Sequence, residues 1–293
     1  MKSLENIQTV RVESWQEFDD FNMKSPQCVY RGQGNCEWSL FTGYERNRKV
    51  QSPMYEKEML RRFISQASIY ESNLPDRYDF VSWFSLMQHY GTGTRLLDVT
   101  RSKYIALFFA LVGAINDKKV KKCAVWAFET YASNTAFYNA ILATEPDGCI
   151  DTRDDPFASS LEEYKSLGWK FANKFIASDW DMQLSKIKRD DYVEQHKEKL
   201  SYFLKTGGVM EIVPKNQNKR MIAQAAEFLM PITLRKSFMD NLLVNEHGCA
   251  PRIVKLEIDK ELHVKFWGKL KEMNISWQTL YPDIDGLAKN INW

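Results

Sequence analysis

Three short stretches of the chain concentrate side chains that can do chemistry together. The first is Val29-Tyr30-Arg31-Gly32-Gln33, where an arginine ending a short apolar run is followed at once by glycine. A guanidinium presents a planar fork of donors that grips phosphate or carboxylate, and a glycine beside it lets the backbone approach the same ligand. The plainer alternative is an arginine paired with a structural Asp at a turn. The second stretch is Gln88-His89-Tyr90-Gly91-Thr92-Gly93-Thr94-Arg95-Leu96-Leu97-Asp98-Val99-Thr100. It crowds hydrogen-bonding groups between two apolar segments, where each must find a partner. Either these groups face a polar ligand, or they form a structural network in which Thr100 caps the next helix and Asp98 fixes an arginine. The third stretch runs from Asn216 to Phe228. A helix there puts Arg220, Gln224 and Glu227 on one face, whereas a strand points Gln224 and Glu227 opposite ways, their separation being odd. Only a helix or turn lets them act together; the alternative is a solvated face with an Arg–Glu pair of little energetic weight.

The elements that must position these stretches follow from periodicity and from Gly and Pro. Ser14–Met23 reads as a short amphipathic helix with Trp15, Phe18 and Phe21 inward, and Cys28–Arg31 as a strand ended by Gly32. Pro53–Tyr70 reads as a helix opened by Ser52 and Pro53. Asp79–Tyr90 reads as a helix closed by Gly91, Thr94–Val99 as a strand, and Ser102–Ile115 as a buried helix. Strands are expected at Lys122–Phe128, Gly208–Val213 and Arg252–Ile258, with helices at Asn218–Phe228 and Lys260–Met273. A mainly helical, charged insertion fills about 130–205. Strands and helices without regular βαβ repetition predict an α+β fold.

Composition narrows the function classes. The chain has 293 residues, 44% of them apolar, and a formal net charge of +2 from forty basic and thirty-eight acidic residues. That balance does not mark a nucleic-acid binder, although it allows local basic patches such as Lys118–Lys122 and Lys186–Arg189. The longest apolar stretch, Tyr104–Ile115, spans about 18 Å as a helix, well short of the roughly 30 Å of a bilayer core. Five scattered cysteines, with no apolar block in Met1–Val10, predict a cytoplasmic protein with free thiols and no membrane association. The sequence lacks the Walker phosphate loop, the G-x-S-x-G elbow, the H-E-x-x-H helix and paired C-x-x-C motifs. His247 and Cys249 stand too isolated for a zinc site, so no metal is expected.

Taken together and in this order, the three stretches resemble the FRG domain family, named for a Phe-Arg-Gly motif. The motif stands here as Tyr30-Arg31-Gly32. His89 to Thr100 matches the family's H-Y-G-x-x-T-R-L-L-D-x-T signature throughout. Asn218, Arg220, Gln224 and Phe228 match its N-x-R-x-x-x-Q-x-G-x-F element, with Ala226 where glycine is usual, and Leu280–Leu287 resembles its closing segment. The resemblance covers about residues 25 to 290. It implies a relative of the ADP-ribosyltransferase fold, with a split, bent β-sheet core and helical insertions forming one domain over residues 1–293. It further implies NAD as co-substrate without a metal, and a toxin acting in phage defence or in a toxin–antitoxin pair.

On that resemblance Arg31, Gln224 and Glu227 are the expected catalytic residues. Tyr30, Arg31, Gly32, Gln33, His89, Tyr90, Thr94, Arg95, Asp98 and Arg220 are expected around the NAD. The chain departs from the wider fold in one respect: Gln224 and Glu227 stand three apart, where Gln/Glu-x-Glu is frequent, so Gln224 is an alternative to Glu227 as the late anchor. Cleavage of the nicotinamide–ribose bond develops positive charge on the ribose, which a nearby carboxylate stabilises. Nucleic acid, RNA before DNA and mRNA within it, is the expected acceptor, with Trp38, Tyr44, Trp169 and Trp180 as candidate stacking surfaces. An antitoxin, and with it a chaperone, are the expected partners. Three rival readings stay open: a protein ADP-ribosyltransferase, an NAD glycohydrolase on the same cleft, and a non-catalytic nucleotide-binding module.

Overall fold

The computed structural model describes residues 7–23, 28–47, 52–115, 117, 119–130, 134, 161–180, 197–213, 217–244 and 251–291. Its strands are β1 (Ile7–Val12), β2 (Cys28–Gln33), β3 (Leu97–Thr100), β4 (Lys122–Glu129), β5 (Val209–Ile212), β6 (Ala226–Pro231) and β7 (Arg252–Asp259). They form one sheet in the order β1-β7-β4-β2-β3-β6-β5, parallel between β1 and β7 and antiparallel elsewhere. The ladders are uneven. β4 pairs with β7 from Lys122↔Asp259 to Glu129↔Arg252 and with β2 from Cys28↔Glu129 to Gln33↔Ala124, but β2 meets β3 at Tyr30↔Thr100 alone. The curled sheet is therefore two leaves, β1-β7-β4-β2 and β3-β6-β5, touching at one point and open beyond it.

The helices are α1 (Trp15–Asp20), α2 (Gly43–Asn47), α3 (Pro53–Ala67), α4 (Phe80–His89), α5 (Lys103–Ile115) and α6 (Leu161–Trp180). They continue with α7 (Lys197–Thr206), α8 (Lys219–Ala223), α9 (Phe238–Leu242), α10 (Lys260–Glu272), α11 (Trp277–Leu280) and α12 (Ile284–Ile291). α5 is apolar nearly all round because it lies between the sheet and α10, where Phe108 stacks on Trp267 at 5.4 Å. Glycines set how closely it approaches β2. A Cβ on Gly32 would fall 1.9 Å from the Ala106 carbonyl oxygen, and one on Gly34 would fall 2.5 Å from the Gly113 carbonyl carbon. Gly32 is thus required by helix-on-strand packing, a reason beyond the ligand approach expected from sequence. A second core gathers α3, α4, α6, α7 and the β5–β6 leaf.

The mixed α+β class is as expected, and most elements lie within a few residues of their expected positions. Two corrections bear on the site. The strand expected from Thr94 starts at Leu97, leaving Thr94 and Arg95 in a buried connection. The helix expected over 218–228 stops at Ala223. Asn218 caps its start, Ala225 adopts a left-handed conformation at φ 44°, and the chain turns into β6. There Leu97↔Leu229 and Met210↔Met230 pair the strand on both sides, and that ladder overrides the helical reading of the stretch. The described parts of the 130–205 insertion include α6 and the start of α7, both helical. Lys118, Cys149, Lys186–Arg189, His247 and Cys249 lie outside the described residues.

Candidate functional site

A cavity of about 320 Å³ opens where the two leaves part. That volume lies at the lower end of small-molecule sites. β2 contributes Tyr30, Arg31 and Gly32; the end of α4 contributes Ser85, Gln88 and His89; β3 contributes Asp98 to Thr100. The far wall is Asn218, Arg220, Met221 and Gln224 from α8 and its two caps, Ala226 and Phe228 from β6, and Tyr281. Strand alternation sets Arg31 with Val29 and Gln33 on the face opposite Tyr30 and Gly32. Arg31 nonetheless borders the same cavity as Tyr30 and Gly32, at the seam where β2 and β3 pair through Tyr30↔Thr100 alone.

Arg31 bridges that seam. Its Nη1 donates to the Asp98 carbonyl oxygen at 2.6 Å, while its Nε is buried with no hydrogen-bond partner. Burial pushes the guanidinium down to about 10; Asp98 opposes the shift and Arg46 adds to it. The group is still a cation at neutral pH, desolvated and without an ion-pair carboxylate among the described residues. A buried donor without a partner is costly unless a ligand supplies the acceptor.

Arg220 is the second cation. Its Nη2 donates to the Tyr281 hydroxyl at 2.8 Å and its guanidinium carbon lies 4.1 Å from that ring's centroid. Lys289 lies over the same ring at 4.9 Å. Gln224 donates from Nε2 to the Leu280 carbonyl at 3.1 Å, so α8 is fastened to the turn that carries Tyr281. That turn is tight enough that a Cβ on Gly286 would meet the Tyr281 carbonyl oxygen at 1.9 Å. Burial pushes the Tyr281 phenol up, with Asp98 contributing and Arg220 opposing. Asn218 accepts from the Met221 N–H to cap α8 and brings its amide to 3.5 Å from His89 Nδ1, joining the near and far walls. Thr100 donates to the Gln224 carbonyl at 2.7 Å and accepts from the Ser102 N–H, so it serves both the helix start and the far wall.

Of the residues expected from sequence, the structure brings Tyr30, Arg31, Gly32, His89, Asp98, Arg220 and Gln224 to this cavity. It leaves Gln33, Tyr90, Thr94, Arg95 and Glu227 outside. Gln33 is buried between Trp126 Nε1, which donates to it at 2.7 Å, and the Ser39 carbonyl. Tyr90 is 61% exposed against the His89 ring. Thr94 sits behind Gln88, whose Oε1 accepts its hydroxyl proton at 2.5 Å. Arg95 is fully buried between Glu56 and Asp179, and Trp180 also donates to Glu56.

Glu227 is the main correction. In β6 it alternates with Ala226 and Phe228, which face the cavity, so its side chain leaves by the opposite face of the sheet. There it binds Arg101 and neighbours Glu211, which also binds Arg101 and accepts from Thr130. Burial, then hydrogen bonding and charge from Glu227, hold Glu211 well above the usual carboxylate range. Among the candidate stacking residues, Tyr44 and Trp180 are core, Trp169 donates to Asp79 at 2.9 Å, and Trp38 is 52% exposed.

Sequence reasoning placed Tyr281 within a matching segment but gave it no role. Its signal was the Leu280–Leu287 resemblance itself, since Gly286 and Asp283 form the turn that aims it. Among the described residues no three His, Cys, Asp or Glu side chains gather to hold a metal, and no helix is long and apolar enough to cross a membrane. No curated protein and no solved structure matches the chain. Residues 26–119 match the model of the FRG domain, and β2, α4, β3 and α5, which together form the near wall of the cavity, lie within the matched residues.

Proposed function

We propose that the chain transfers ADP-ribose from NAD, with the dinucleotide seated at the open seam between the two leaves. The observation that carries this reading is the pair of guanidinium groups, Arg31 on one leaf and Arg220 across the cavity, neither held by a carboxylate among the described residues. Two such cations facing one hollow suit a diphosphate, because guanidinium–phosphate hydrogen bonds are charge-assisted and geometrically matched. Tyr30, Phe109, Tyr281 and His89 supply flat walls for the base and the nicotinamide. Positioning and charge stabilisation lower the barrier to glycosidic cleavage, with Gln224 fixing the far wall.

The rest of the reading is supported by the sequence resemblance rather than by geometry. On it, the acceptor is nucleic acid, RNA before DNA and mRNA within it; the chain acts as a toxin in antiviral defence, in the cytoplasm; and an antitoxin covers the cavity mouth. The test is incubation of the purified chain with NAD labelled in its adenylate, alone and with separate RNA, DNA and protein pools. Nicotinamide release with label on RNA supports the full reading, and label on protein moves the acceptor. Free ADP-ribose without any acceptor makes the chain a glycohydrolase. No nicotinamide release under any of these conditions would falsify the transferase reading and leave a nucleotide-binding module.

A further inference from the structure

Resting on the NAD reading above, we infer that Asp98 is the catalytic carboxylate of the cavity, and that Gln88 and Thr94 are positioning residues that aim it. Asp98 is the acidic side chain among the described residues lining the hollow, and it is exposed on a strand whose other side chains are buried. An exposed carboxylate can be satisfied by water and needs no scaffold. This one has a scaffold reaching into the core.

The Leu96 backbone N–H, which can only donate, gives its hydrogen bond to Thr94 Oγ1 at 3.2 Å. The fully buried threonine hydroxyl then sends its own proton to Gln88 Oε1 at 2.5 Å. That fixes which end of the Gln88 amide is nitrogen, and Nε2 donates to Asp98 Oδ1 at 2.6 Å. Arg31 meanwhile holds the Asp98 backbone carbonyl at 2.6 Å. One carboxylate oxygen is anchored and the backbone carbonyl is pinned, on a residue that lines the cavity. Such pre-positioning of charge is what an oxocarbenium-like transition state rewards.

In the step itself the bond between ribose C1′ and the nicotinamide nitrogen breaks, and its electron pair leaves on nicotinamide. Asp98 offsets the positive charge that develops on the ribose. An acceptor oxygen or nitrogen forms the new bond to C1′, and its proton passes to Asp98 and then to water. The products are nicotinamide, the ADP-ribosylated acceptor and one proton.

The test measures steady-state nicotinamide release and calorimetric ADP-ribose binding on the full chain. Asp98→Asn is expected to lower kcat by about 10²–10⁴ while KM and ADP-ribose affinity stay within about threefold. Thr94→Val is expected to lower kcat about tenfold at unchanged KM, and Thr94→Ser to restore it, because only the hydroxyl orders the amide. Glu227→Gln, altered on the opposite face of β6, keeps kcat within about threefold. A kcat for Asp98→Asn within about fivefold of wild type, or a loss carried by KM alone, overturns the inference. So does Thr94→Ser behaving like Thr94→Val. Should Asp98→Asn fail to fold, Asp98→Ser is judged by the same two readouts. A wild-type chain that binds ADP-ribose but releases no nicotinamide brings down the underlying reading, and this inference with it. An active wild type with an equally active Asp98→Asn brings down this inference alone.

Discussion

Replacing Arg95 by methionine distinguishes a ligand-binding arginine from a structural one. The side chain is fully buried. Its Nε donates to Glu56 Oε1 at 2.9 Å and Oε2 at 3.0 Å, and its Nη2 to Asp179 Oδ2 at 3.2 Å. The losses are unequal. Asp179 keeps the Thr233 hydroxyl, the Leu234 N–H and Arg235, whereas Glu56 keeps the Trp180 indole N–H as its remaining donor in the network. Methionine roughly preserves volume, so the cost is the uncompensated Glu56 charge, about 3–5 kcal/mol for one partner removed from a buried pair. For a chain of this size that is a fall in Tm on the order of 6–15 °C. Thermal and urea unfolding of Arg95→Met measure it. Adding Glu56→Gln should return at least about 1 kcal/mol, because the stranded charge is gone. A loss below about 1 kcal/mol, or intact stability with lost ADP-ribose binding, would refute the structural assignment and return Arg95 to the ligand.

Other consequences are equally concrete. Gly32→Ala should cost about 3 kcal/mol or more in urea unfolding, since the new methyl meets the Ala106 carbonyl, a backbone atom that cannot rotate away; a variant as stable as wild type would show that α5 can recede from β2. Arg31→Ala and Arg220→Ala should each weaken ADP-ribose binding by about 1.5–3 kcal/mol, roughly 10- to 150-fold in Kd by calorimetry. Unchanged affinity in both would separate the cations from the ligand. Glu211 is an acid raised in the folded state, so its stabilising effect is present below its unfolded value near about 4.3 and is lost as pH rises toward the folded value. Glu211→Gln should therefore gain stability relative to wild type with rising pH, with a slope of at most about 1.4 kcal/mol per pH unit. A pH-independent difference would mean that the proton is not held.

The site was legible in sequence where local chemistry decides the outcome. The apolar Cys28–Tyr30 run made β2, the glycines after Tyr90 broke α4 from β3, and Arg31, His89, Asp98, Arg220 and Gln224 converge on one cavity from as far apart as their positions allow. It was not legible where partners distant in sequence decide. A charged Arg95 beside Thr94 reads as a ligand group, and only Glu56 and Asp179, themselves far apart in the chain, make its burial tolerable. Residues 224–231 carry both a helical spacing and a strand-like apolar run. The outcome there is set by β3 on one side and β5 on the other, and with it the face to which Glu227 points. Gly32 stands at the cavity as its motif suggests, yet its tightest contact is with α5, seventy-odd residues later in the chain.

The most direct test is the structure of the Asp98→Asn chain crystallised with NAD. The expected density lies in the seam between β2 and β3, with diphosphate oxygens in hydrogen-bond contact with Arg31 and Arg220 and the nicotinamide ribose beside residue 98. NAD found on the opposite face of the sheet beside Glu227 and Arg101, or bound without contact to either seam arginine, would contradict it.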